Sequence, residues 1–162
     1  MTEKEYRMKG TISIEELEEH GLLPPIERMR EGPKAIAECP EMIPCNICVD
    51  ACPFKAITMK DINSIPKIDW NKCTGCGNCV LLCPGLAIFL IDLSDPKKAK
   101  VTLPHELLPT PKKGQIVTLL GRDGKKIGKG RVTMIREQNR TYAITVETTP
   151  EIAKEARAIW PE

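Results

Sequence analysis

The stretch Cys73-Thr74-Gly75-Cys76-Gly77-Asn78-Cys79-Val80-Leu81-Leu82-Cys83-Pro84 decides the reading of this 162-residue chain. It has a counterpart upstream. Cys45, Cys48 and Cys52 precede Cys76, Cys79 and Cys83 by one constant offset, and Val49, Pro53, Ala56 and Ile57 precede Val80, Pro84, Ala87 and Ile88 by the same offset. A constant offset over seven positions marks an internal repeat, two copies of one small unit. One position departs from it: Met42 stands where the offset places the counterpart of Cys73, and Cys39 lies earlier, with Pro40-Glu41-Met42-Ile43-Pro44 between it and Cys45.

Composition narrows the chemistry of the repeat. Eight cysteines stand against only six Phe, Tyr and Trp residues, so the thiols are expected to organise part of the fold in place of an aromatic core. The segment Met1–Gly10 is charged and has no apolar stretch resembling a signal peptide. No run reaches the ~20 apolar residues of a membrane-spanning helix. The expected location is therefore the cytoplasm, whose reducing conditions argue against a disulfide framework and for metal-bound thiolates.

Cys73-x2-Cys76-x2-Cys79-x3-Cys83-Pro84 matches the run of the bacterial two-cluster ferredoxins, and Cys39-x5-Cys45-x2-Cys48-x3-Cys52-Pro53 resembles it with a longer first interval. Three thiolates two residues apart on a looping backbone can grip three corners of one [4Fe–4S] cube, and the fourth corner needs a ligand from elsewhere. In that family the Cys before Pro crosses to the other cube. The resemblance implies Cys39, Cys45, Cys48 and Cys83 for the first cluster and Cys73, Cys76, Cys79 and Cys52 for the second. The alternative for the atypical position is a three-iron cluster with Cys39 free. Structural zinc prefers two separated CxxC pairs, which this spacing does not offer.

The rest of the chain divides around the repeat, giving an expected α+β organisation of an N-terminal extension (1–33), a dicluster domain of pseudo-twofold βαβ halves (34–96) and a small antiparallel β-barrel-like domain with a terminal helix (97–162). Charge follows these segments: six bases against nine acids in 1–38, six of each in 39–99, and twelve bases against seven acids in 100–162. Ser13 and Glu16 read as a capping box, with a helix to His20 and a stop at Gly21. Lys34 to Glu38 reads as a strand, and Ala56 to Lys60 and Ile65 to Asp69 as a pair around Asp61–Ser64. Gln115 to Leu120, Arg131 to Glu137 and Thr141 to Thr149 carry the Val, Ile and Thr of a curled sheet. Thr149 and Pro150 open a helix whose apolar face is Ile152, Ala153, Ala156, Ile159 and Trp160.

The other candidates have plain readings. Trp70, Phe54 and Phe89 are expected to shield the clusters from water. His20 and His105 have no metal-ligand context. Gly121-Arg122-Asp123-Gly124 and Gly128-Lys129-Gly130 read as hairpin turns, since no helix follows to make a phosphate site. The basic residues Lys125, Lys126, Lys129 and Arg131 have Tyr142 as the only aromatic on these strands, which argues against nucleic acid. No Ser-His-Asp set, HExxH or Walker loop is present, so the chain reads as a non-catalytic, electron-transfer part of an oxidoreductase. Over its whole length it resembles the small ferredoxin-like subunit of multi-subunit, FAD-dependent amino-acid dehydrogenases of the proline and hydroxyproline type. The cues are Gly32-Pro33, Ile43-Pro44-Cys45-Asn46-Ile47-Cys48, Cys83-Pro84-Gly85-Leu86-Ala87-Ile88-Phe89 and Leu103-Pro104-His105-Glu106. That resemblance implies a hetero-oligomer with a flavoprotein subunit. The alternatives are a free-standing soluble ferredoxin and a redox-sensing or nucleic-acid-binding module with structural clusters.

Overall fold

A computed structural model describes residues 5–160. The outermost residues of the N- and C-terminal segments, and the first part of the charged Met1–Gly10 stretch, lie outside the described residues. The elements in order are α1 (Glu5–Lys9), α2 (Ile14–Glu19), α3 (Ile26–Arg30), β1 (Lys34–Ala37), α4 (Ile47–Ala51), β2 (Ile57–Thr58), β3 (Lys67–Ile68), α5 (Asn78–Leu82), β4 (Ile88–Asp92), β5 (Ala99–His105), β6 (Ile116–Leu120), β7 (Lys126–Gln138), β8 (Thr141–Thr148), α6 (Pro150–Glu155) and β9 (Ala158–Ile159). The fold is α+β with antiparallel pairing. Seven strands form one sheet in the order β1-β4-β5-β8-β7-β6-β9, and β2 and β3 pair separately. Among the described residues no helix is long and apolar enough to cross a membrane.

The sheet runs without a break from the cysteine region into the C-terminal strands, because β4 turns back as β5 with Leu90, Ile91 and Asp92 opposite Thr102, Val101 and Lys100. Strand β4 makes this possible by being apolar on both faces. Alternation sends Phe89 and Ile91 into one core with Ile36, Val101, Leu103, Leu119, Ile144 and Val146. Ile88 and Leu90 face a second core with Ala35, Ala37, Ile57, Cys79, Val80 and Leu81. Each of these large side chains contributes about 1.5–3 kcal/mol on burial. The first core fills the curl of the C-terminal strands, in which β9 lies close to β5, and the second lies under α4 and α5.

Several expectations hold at the level of single residues. Ser13 and Glu16 form a reciprocal capping box on α2, Lys34–Ala37 is a strand, and β2 and β3 pair on either side of Asp61–Ser64. The Gly121–Gly124 segment turns between β6 and β7.

Two expectations are corrected, and one strand is added. Gly128 and Gly130 are not at a turn: they sit within β7 opposite Leu119 and Val117. A Cβ on Gly128 would lie 2.4 Å from Ile152 Cδ1, and one on Gly130 would lie 2.3 Å from Val146 Cγ1. The glycines therefore admit close packing against neighbouring side chains rather than a reversal. The terminal helix ends at Glu155. Beyond it Arg157 N donates to Leu120 O at 2.8 Å and Trp160 N to Thr118 O at 2.9 Å, so β6 captures the segment as a strand. Ile159 and Trp160 consequently alternate, the first buried and the second 43% exposed. The seven-residue β5 is additional to the strands expected from sequence, and Pro104 within it sits opposite Ala143.

Candidate iron–sulfur centres

The repeat visible in the sequence is equally visible in the backbone. Lys55 and Leu86, which correspond at the repeat offset, both take left-handed conformations with φ of 50° and 51°. Ala56 N donates to Cys52 Sγ at 3.3 Å and Ala87 N to Cys83 Sγ at 3.4 Å. Each repeat also ends a strand on the other: Glu38 N donates to Ala87 O, and Asp69 N to Ala56 O, both at 2.8 Å. Glu38 and Asp69 are thus equivalent residues at the same offset.

This equivalence explains the departure at Met42. After Asp69 the chain makes one turn, with Cys73 N donating to Asp69 O at 3.1 Å, before it presents Cys73. After Glu38 it presents Cys39 at once, and the extra turn of chain follows the cysteine instead.

Helices α4 and α5 lie side by side, and each carries one cysteine inside the helix and one at its C-cap: Cys48 and Cys52 on α4, Cys79 and Cys83 on α5. These short helices end where Pro53 and Pro84 cannot continue them. One cavity, of about 300 Å³, is lined by Cys39, Cys45, Cys48 and Cys83. A second, tighter one of about 20 Å³ is lined by Cys52, Cys73, Cys76 and Cys79. Each helix therefore spans both cavities, and the structure brings together the two sets of four named from the resemblance. All eight cysteines are free thiols.

The electrostatics follow the same grouping. Burial pushes the Cys48 thiol up to about 11, and the neighbouring Cys83, Cys45 and Cys39 add to it. Burial pushes Cys79 up to about 12, with Cys73, Cys76 and Cys52 acting in the same direction. Cys39 is raised by burial, then by Cys83 and Cys45. Thiolates so placed are costly unless iron neutralises them, so cluster binding and deprotonation are coupled. Among the described residues no charged side chain lines either cavity. Four thiols, apolar walls and backbone amides are the donor chemistry that an iron–sulfur cluster uses.

The aromatic residues divide in role. Phe54 lines the second cavity, and the Trp70 indole donates to Ala35 O at 2.9 Å. Phe89 instead faces the core of the curled strands, beneath the Arg157 guanidinium, whose carbon is 4.8 Å from the ring centroid. His105 is buried at the end of β5 with its Nε2 unpartnered among the described residues, and His20 packs edge-on against Tyr6.

Sequence reasoning missed the arginines around the cysteines. Arg122 Nη2 lies 2.7 Å and Arg157 Nη2 2.6 Å from Glu38 Oε1, and the side chains of Arg122, Arg157 and Glu38 are only 8%, 7% and 9% exposed. Arg136, on β7, donates to Cys76 O and, at 3.0 Å, to Asn78 Oδ1. Separations of 58 to 119 residues left no local signal for these contacts.

Fold and site define a ferredoxin-like region with the thiols for two [4Fe–4S] clusters. Residues 43–87 match the 4Fe-4S dicluster domain. Similar proteins include the translation initiation factor RLI1 of Saccharomyces cerevisiae, 34% identical over 104 residues, covering 60% of this chain and 16% of that protein. The methylamine utilization ferredoxin-type protein MauM of Methylophilus methylotrophus is 45% identical over 47 residues, 24% of this chain and 21% of its own length. A ferredoxin of Pyrobaculum islandicum is 39% identical over 59 residues, 36% of this chain and 54% of its own. The chain thus spans less than two thirds of each of these relatives. No solved structure matches it.

Proposed function

We propose that this chain is the electron-transfer subunit of a multi-subunit, FAD-dependent amino-acid or amine dehydrogenase, relaying single electrons away from a partner's two-electron flavin. The observation that carries the reading is the pair of four-cysteine cavities bridged by α4 and α5. Bound there, each [4Fe–4S] cluster supplies a one-electron redox couple. Cys39, Cys45, Cys48 and Cys83 hold the first cluster; Cys52, Cys73, Cys76 and Cys79 hold the second. The apolar linings exclude water, and the amides of Ala56 and Ala87 donate to Cys52 and Cys83, which lowers the electron density on those sulfurs.

A partner docked near the first cavity is supported by its rim. Ile43, which lines the cavity, is 46% exposed, and its neighbour Met42 is 72% exposed; Ile47, next to Cys48, and Ile62, whose carbonyl accepts from Cys45 N, are also exposed. The opposite net charges of residues 1–38 and 100–162 suit an oriented contact. The location is cytoplasmic in this reading, and the chain performs no substrate chemistry of its own.

The second reading is a nucleic-acid-associated module. It is favoured by the 60% of this chain that aligns with a translation initiation factor. Gentle affinity purification from the native host, with flavin absorbance and mass spectrometry of what is retained, separates the two. A stoichiometric FAD protein supports the dehydrogenase reading. A lone monomer that exchanges electrons at full rate with many unrelated enzymes overturns it in favour of a soluble ferredoxin. Steeply salt-dependent RNA binding overturns it in favour of the second reading.

A further inference from the structure

We propose that the C-terminal sheet positions one ligand loop of each cluster: Arg122 and Arg157 hold Cys39 through the carboxylate of Glu38, and Arg136 holds Cys76 through its carbonyl. The first limb rests on the assignment of Cys39 to the first cluster.

The two repeats supply an internal comparison. At Asp69 the acid works locally: its carboxylate accepts from Asn71 N at 3.0 Å and its carbonyl from Lys72 N at 3.0 Å and Cys73 N at 3.1 Å. Lys34 Nζ then reaches Cys73 O at 3.0 Å. Cys73 is thereby fixed by its own turn and its neighbour strand. Glu38, the equivalent acid, stands directly before its cysteine and has no such turn to close. The following chain carries Pro40 and Pro44, which have no amide to donate. What holds Glu38 is remote in sequence. Its Oε1 accepts from Arg122 Nη2 and Arg157 Nε, each at 2.7 Å.

The arginines are themselves fixed. Arg157 leaves α6 on its way into β9, stacks over Phe89 of β4, and donates from its backbone to Leu120 O. Arg122 sits in the β6–β7 turn and also pairs with Glu155 and donates to Lys154 O at 3.2 Å. Burial disfavours the charge of Arg157, and Glu38 is the foremost group that restores it. Removing the Glu38 charge therefore deprives buried Arg157 of its main counter-charge, leaves Arg122 with Glu155 as its counter-charge, and releases the residue next to Cys39.

Arg136 makes the corresponding contact at the second centre. A Cβ at Gly77 would lie 3.2 Å from Arg136 Nη1, so the glycine leaves room for the guanidinium to approach. The contacts to Cys76 O and Asn78 Oδ1 then brace both sides of Gly77. The C-terminal sheet has in this account a defined task, with separable effects at the two clusters.

That separability is the test. Full-length protein carrying Glu38→Gln, Arg122→Lys or Arg136→Met is purified without oxygen, and iron loss to a mild chelator is followed by EPR of the reduced clusters. Outer-shell partners of metal ligands are typically worth about 10–100-fold in metal retention. Glu38→Gln is expected to accelerate loss of the first cluster by that order and leave the second within about twofold, whereas Arg136→Met does the reverse. Arg122→Lys, which keeps a charge, gives a smaller effect of the first kind and serves if Glu38→Gln does not fold. Equal acceleration of both clusters in every variant, or no acceleration in any, overturns the proposal. Cys39→Ser is the control: if it leaves both clusters intact, the ligand assignment fails and the Glu38 limb with it. If it removes the first cluster while Glu38→Gln and Arg122→Lys do nothing, the positioning role alone fails.

Discussion

Replacing Gly75 with alanine separates two physical costs at the second centre. Gly75 lies between Cys73 and Cys76 with φ of +70°, and a Cβ there would stand 2.4 Å from the carbonyl oxygen of Pro33 and 2.6 and 2.7 Å from its ring carbons. The left-handed backbone costs an alanine about 1–2 kcal/mol. The clash with backbone and ring, which has no flexible end to swing away, adds about 1–3 kcal/mol. The total of about 2–5 kcal/mol is a large part of the ~5–15 kcal/mol that stabilises a domain. Gly124 has φ of +75° with no described atom within 4 Å of its Cβ position, so Gly124→Ala bears the backbone cost alone. Cluster proteins unfold irreversibly, so the assay is the rate at which visible absorbance is lost on heating without oxygen. The difference of about 1–3 kcal/mol, if expressed fully in the unfolding rate, makes Gly75→Ala about 5–150-fold faster than Gly124→Ala. Equal rates would show that a side chain at position 75 does not meet Pro33.

The remaining expectations are direct. Anaerobically purified protein contains about eight iron and eight sulfide per chain, as two cubes require; stoichiometric zinc without sulfide contradicts this. Cys39→Ser removes the EPR signal of the cluster shared with Cys45, Cys48 and Cys83 and spares the other; two unchanged signals show that Cys39 is not a ligand. Burial lowers the pKa of His105 from 6.5, ahead of a weaker opposing effect of the Leu107 backbone. The folded protein then binds fewer protons than the unfolded chain, so this histidine's contribution is present above pH 6.5 and is lost as pH falls toward its depressed value. The rate of thermal absorbance loss across that window should rise less steeply toward acid in His105→Leu than in the parent; identical slopes refute the buried-neutral assignment.

The sequence by itself determined the parts whose physics is local. The constant repeat offset, the two Cys-Pro steps and the Ser13–Glu16 capping box can each be read from the order of residues along the chain, with no knowledge of distant contacts. They therefore announced the cluster halves and the first capped helix directly. Richness in Val, Ile and Thr likewise announced β6 and β8, because β-branched side chains suit extended backbone whatever they later pack against. The tertiary structure decided what depends on distant partners. Glycines at 128 and 130 read as turn formers until Ile152 and Val146 are seen against them. Residues 158–160 continue a helical apolar face in sequence, yet the open backbone groups of β6 take them as a strand. The two-faced burial of β4, which joins the cluster region to the C-terminal sheet, appears only as an apolar run until the two cores are placed on either side of it. Glu38 shows the limit most clearly. An acid before a cysteine has no distinctive local pattern, and its meaning comes from arginines 84 and 119 residues away that only the folded sheet brings to it.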